Sequence, residues 1–102
     1  MTLTLQEKEF FKRELVASLR DEPEVIKIVV FGSFLTARDP HDIDIAIFQN
    51  SDLAYLPLAM KYRKKTRLIS RRIPLDILPI KIGAQPSVML DEIARGEVIY
   101  EK

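Results

Sequence analysis

The sequence contains no cysteine, which removes disulfide staples, thiolate metal sites and cysteine nucleophiles from consideration. That absence suits a reducing compartment. No apolar run approaches the roughly 20 residues needed to cross a bilayer, and the stretch from Met1 to Arg13 has no signal-peptide core. Neither sign of charge dominates: 16 Lys and Arg stand against 15 Asp and Glu, for a formal net charge of +1. Net charge therefore gives no argument for nucleic acid. The reading that follows is a soluble, cytoplasmic protein with no membrane partner. Its 102 residues suffice for one domain, residues 1–102, and 47% of them are hydrophobic. A domain of this size buries roughly 60–70% of its unfolded surface, so one core is affordable without staples.

Hydrophobic spacing predicts the elements in turn. Leu5, Phe10 (or Phe11), Leu15 and Leu19 recur at helical spacing over about residues 4–20, and Pro23 lies just beyond the end. The β-branched run Val25 to Phe31 reads as an inner strand buried on both faces. Gly32-Ser33 stops it, and Ser33 is placed to cap a short helix from Phe34 to Arg38. Asp42 to Phe48 alternates, with Ile43, Ile45 and Ile47 on one face and Asp42, Asp44 and Ala46 on the other. A helix is expected from Pro57 to about Ser70. A third strand, Ile73 to Ile80, carries two prolines that put it towards a sheet edge. After a loop from Gly83 to Pro86, a helix from Ser87 to Arg95 should close on a left-handed Gly96. Glu97 to Tyr100 makes the last strand. The expected fold is α/β (α+β): a small mixed sheet of about four strands flanked by helices.

Two features carry chemistry. Asp42 and Asp44 point to the same side of a rigid strand, where two ionised carboxylates repel by about 2–3 kcal/mol at an effective dielectric near 20. A divalent cation converts that repulsion to attraction, and Mg²⁺ takes one or two carboxylates plus substrate phosphates and water. Asp76 lies inside the apolar run Ile73 to Pro79, where a lone carboxylate is costly without a cation or hydrogen bonds. If its strand lies beside that of Asp42 and Asp44, the three converge. Ten residues before Asp42, a buried strand runs through Gly32-Ser33 into a helix start. Gly allows close backbone approach, and free N–H groups there suit a phosphate.

Phe31-Gly32-Ser33-Phe34, then Asp42-Ile43-Asp44-Ile45-Ala46-Ile47, then Leu75-Asp76-Ile77-Leu78, resembles the signature of the DNA polymerase β-like nucleotidyltransferase superfamily. The ending Ile93 to Tyr100 is similar to the tail of its stand-alone minimal members, the MNT antitoxins. The chain differs in having Ala37 where many relatives have glycine, and His41 where many have serine. The resemblance implies a polymerase β-like fold and transfer of a nucleoside monophosphate, AMP from ATP, to a hydroxyl. It implies Asp42, Asp44 and Asp76 as catalytic residues holding two Mg²⁺ ions, with Gly32 and Ser33 on the nucleotide; Arg38, by its position after that turn, is read as a further triphosphate contact or a solvated loop charge. The resemblance also implies a HEPN-type helical toxin as partner and acceptor. Two other readings compete: a binding module that neutralises its partner by contact alone, and an RNA-binding module built on the basic segment Lys61 to Arg72. Clustered cations there could follow a phosphate backbone, although a solvated helix accounts for them as well.

Overall fold

A computed structural model describes residues 2–83 and 88–102. The elements in chain order are α1 (Leu5–Leu19), β1 (Val25–Phe31), α2 (Ser33–Thr36), β2 (Ile43–Gln49), α3 (Tyr55–Lys65), α4 (Arg67–Ser70), β3 (Leu75–Lys81), α5 (Val88–Ala94) and β4 (Glu97–Glu101). The strands form one mixed sheet in the order β3-β2-β1-β4. β1 is antiparallel to both β2 and β4, while β2 and β3 run parallel. β3 is an edge strand, which is where a strand containing Pro79 belongs, because proline has no N–H to give a second neighbour.

α1 starts on a capping box: the Thr4 hydroxyl accepts from the Glu7 N–H, and the Glu7 carboxylate accepts from the Thr4 N–H. Such a cap stabilises a helix by about 1 kcal/mol. The buried stripe of α1 is Phe11, Leu15 and Leu19. Leu5, expected to point inward, is instead 75% exposed, and Leu3 fills that end of the core.

The alternation of β2 sorts the two faces of the sheet. Ile43, Ile45 and Ile47 enter the main core with Phe11, Leu15, Leu58, Tyr62, Ile69 and Ile77, so α1, α3 and α4 cover that face. Ala46 enters a smaller cluster on the other face with Val29, Phe31 and Ile93 of α5. Asp42 and Asp44 share the α5 side.

Three local expectations fail for identifiable reasons. Ser33 is not the cap of α2. Gly32 occupies that position with φ 79°, and Ser33 is the first helical residue. The helix expected to run unbroken to Ser70 divides at Thr66, whose buried hydroxyl bonds back to the Tyr62 carbonyl at 2.8 Å. Such back-bonding competes with the helical ladder. Gly96 is not left-handed either, since only Gly32 and Gly83 have positive φ among the described residues. Its glycine serves close approach: a Cβ there would lie 2.5 Å from the Val30 carbonyl oxygen and 2.9 Å from Phe31 Cβ. The expected loop through residues 84–86 and the helix start at Ser87 lie outside the described residues.

Candidate active site

Strand pairing assembles the site. In the antiparallel register Phe31 faces Asp44, so the turn after β1 meets the first half of β2. In the parallel register Asp44 faces Asp76 directly. Asp42 precedes β2 on the same side. One carboxylate oxygen from each of Asp42, Asp44 and Asp76 lies within 4.8 Å of the others. No lysine or arginine forms an ion pair with any of the three among the described residues.

At such separations two full charges repel by roughly 3 kcal/mol at an effective dielectric near 20. Asp44 registers the crowding. Burial pushes its carboxyl above the ordinary value, and the charges of Asp42 and Asp76, a hydrogen bond with Asp76 and the charge of Glu92 push the same way. A cluster of hard oxygen donors left short of positive charge fits a divalent cation such as Mg²⁺. The donor set holds no nitrogen or sulfur ligand, which turns it away from zinc-type sites.

Gly32 ties the turn to this cluster. Its φ of 79° and ψ of −158° lie in a region open essentially to glycine alone. A Cβ at this position would overlap the Asp44 carboxylate. The backbone therefore passes against Asp44 because residue 32 has no side chain. Ser33 follows with its side chain exposed, and the Ala37 N–H donates to the Ser33 carbonyl at 2.7 Å. Arg38 is exposed just beyond α2, and its carbonyl accepts from the Leu3 N–H. The structure thus brings Gly32 against Asp44, one of the three converging aspartates, and leaves Arg38 facing solvent one short helix away. His41, next to Asp42 in sequence, is exposed and does not join the carboxylate group.

A pocket of about 230 Å³ adjoins Asp44 and Asp76, with Phe31, Tyr55, Leu78 and Glu92 among its other walls. Tyr55 and Glu92 escaped sequence reasoning. Glu92 lies on α5, and its only signal was a position beside the inward-facing Ile93. Tyr55 comes from α3, on the opposite face of the sheet, so it reaches this pocket past the free edge of β3. No periodicity in the sequence reports that. A wider groove of about 470 Å³ between α1 and β4 contains Lys12 and Glu97 and none of the three aspartates. Cavity size alone therefore does not locate the chemistry.

Comparison with known proteins agrees with this geometry. No curated protein matches the chain significantly. Among solved structures it is similar to a complex of a tri-AMPylated HEPN toxin from Shewanella oneidensis with an MNT antitoxin, at 18% identity and a TM-score of 0.68. That match covers 93% of this chain and 73% of the other. The MntA–HepT toxin–antitoxin complex matches at 18% identity and a TM-score of 0.62, over 92% of this chain and 73% of that one. A toxin–antitoxin structure with AMP-PNP matches at 19% identity and 0.62, over 89% and 73%. At these identities the likeness is one of fold. The model of the family "Polymerase beta, Nucleotidyltransferase" matches residues 13–102, a span that takes in the Gly32 turn and all three aspartates. The chain belongs to the polymerase β nucleotidyltransferase family.

Proposed function

We propose that this protein transfers AMP from ATP to a hydroxyl on a HEPN-type helical partner, and that it thereby acts as the antitoxin of a toxin–antitoxin pair in the cytoplasm. The observation that carries the reading is the close approach of Gly32 to Asp44, one of three convergent carboxylates, which supports assigning the turn to the nucleotide's phosphates. The likeness to MNT antitoxins bound to HEPN toxins supports the choice of partner. The AMP-PNP complex among the similar structures supports an adenine nucleotide.

In this reading Asp42, Asp44 and Asp76 are the catalytic residues and would hold two Mg²⁺ ions. Bound there, the metal would lower the pKa of the attacking hydroxyl and neutralise charge on the entering and leaving oxygens. The chain's own residues supply position. The Gly32-Ser33 turn offers backbone N–H groups and the Ser33 hydroxyl to the β- and γ-phosphates, and Arg38 adds a charge at the far end of the turn. Asp76 is the most exposed of the three, and it borders the open pocket from which an acceptor would approach. The acceptor oxygen loses its proton to solvent and bonds to the α-phosphorus. The bond from that phosphorus to the bridging oxygen breaks, and pyrophosphate leaves.

The test is incubation with labelled ATP, Mg²⁺ and the product of the reading frame beside this gene, on this proposal a HEPN-type protein. Wild type should add AMP to the partner, seen as a mass increase, and Asp44→Ala should not. Equal labelling by Asp44→Ala would sink the proposal.

A further inference from the structure

The cations of α3 and α4 fall into two groups. Lys61 bonds to Glu22 and Glu24 at 2.9 Å each, and Lys65 to Glu22 at 3.2 Å and Asp21 at 3.3 Å. These two, one helical turn apart, fasten α3 to the segment after α1. Arg63, Lys64 and Arg67 lie outside that seam and form no ion pair among the described residues. They line a groove of about 460 Å³ with Met60 and Ile77. Met60 is 60% exposed, so apolar surface and unneutralised charge occur together.

The groove and the site meet at the edge strand β3. Ile77 lines both the groove and the carboxylate pocket, and its neighbour in β3 is Asp76. Tyr55, at the start of α3, borders the same pocket. A body lying along α3 and α4 would therefore cross the free edge of β3 beside Asp76. We propose that this groove docks the acceptor protein through an acidic amphipathic helix, whose apolar stripe covers Met60 and whose carboxylates meet Arg63, Lys64 and Arg67. Helix-in-groove binding has this division of labour, with apolar anchors for affinity and charge for orientation. An RNA track fits less well. Phosphate backbones favour an unbroken line of cations, and here Lys61 and Lys65 are already neutralised while exposed Leu56 and Leu68 interrupt the rest.

The inference rests on the reading that the acceptor is a protein, and its test separates the two. The R63E/R67E variant changes two exposed side chains, and R13E/R20E makes the same change of net charge on the α1–β4 side. Affinity for the neighbouring reading frame's product, the acceptor in the proposed function, is measured by biolayer interferometry, with ATP affinity and AMP transfer followed in parallel. R63E/R67E should bind the partner at least about tenfold more weakly, bind ATP as wild type does, and label the partner in proportion to the complex formed. R13E/R20E should bind the partner normally. Normal partner binding by R63E/R67E, or equal weakening by both variants, would overturn the docking site. So would tighter binding of a 20-nucleotide single-stranded RNA than of the partner, abolished in R63E/R67E. A wild-type protein that binds the partner through this groove but transfers no AMP would refute the proposed activity and leave the docking site standing.

Discussion

Replacing Gly32 by alanine should separate two reasons for a glycine at that turn. The first is backbone strain: an L residue at φ 79° and ψ −158° costs about 1–3 kcal/mol. The second is overlap of the new Cβ with the Asp44 carboxylate; relieving it forces a side-chain shift costing roughly 1–3 kcal/mol more. Gly83 is the internal control. Its φ is 87° and an added Cβ would meet nothing within 4 Å, so Gly83→Ala carries strain alone, about 1–2 kcal/mol. With about 4–8 °C per kcal/mol for a domain of this size, the mid-range costs lower the melting temperature by roughly 10 °C for Gly83→Ala and roughly 25 °C for Gly32→Ala. The decisive measurement is a double-mutant cycle by urea unfolding in EDTA. In an Asp44→Ala background the overlapping oxygen is gone, and the nearest remaining Asp44 atom, Cβ, sits at an ordinary 3.6 Å. Gly32→Ala should then cost only its strain, giving a coupling energy of about 1–3 kcal/mol. Independent sites add within about 0.3–0.5 kcal/mol. A coupling that small would refute the claim that Gly32 is glycine on account of Asp44.

Asp44→Ala alone should raise the melting temperature measured in EDTA, because it removes the most crowded of three mutually repelling carboxylates; a fall of several degrees would contradict the electrostatic account. Tyr62 is fully buried and its hydroxyl donates to Glu24 at 2.9 Å. Tyr62→Phe should therefore cost about 1.5–3 kcal/mol in chemical denaturation, and no change would refute that bond. Burial alone would raise the Glu24 carboxyl, but hydrogen bonds from Lys61, the backbone and Tyr62 outweigh it and hold the group below its ordinary 4.5. A depressed carboxyl stabilises the fold above that value and loses the contribution as pH falls through the folded pKa. Stability should thus decline below about pH 4.5, and Glu24→Gln should flatten that limb of the pH profile.

Much of the architecture was legible because β2 alternates cleanly. Ile43, Ile45 and Ile47 could serve only one face, and that put Asp42 and Asp44 together on the other. Two prolines placed β3 at an edge, and Asp76 among apolar neighbours signalled a carboxylate that required company. Local pattern could not reveal which atoms approach from distant segments. Gly96 looked like a helix terminator, yet its reason is β1, more than sixty positions earlier. Ser33 looked like a cap because serine favours that role, whereas Asp44 reserves the position for Gly32. Tyr55 and Glu92 reach the site from elements on opposite faces of the sheet, so no single periodicity contains both.

The parallel pairing of β2 with β3 has a kinetic consequence. Asp44 and Asp76 face each other only after the chain has passed through α3 and α4 and returned, and parallel strands separated by so long a crossover pair late and slowly. In the unfolded chain Asp76 is far from Asp42 and Asp44, and the three share no ligand. An ion that requires all of them would bind the native protein alone, adding about RT ln(1 + [L]/Kd) to its stability. Where that pairing forms after the folding transition state, the gain would appear as slower unfolding with little change in the folding rate. The aspartates that destabilise the empty fold would then act as a latch on its lifetime, closed by whatever the site binds.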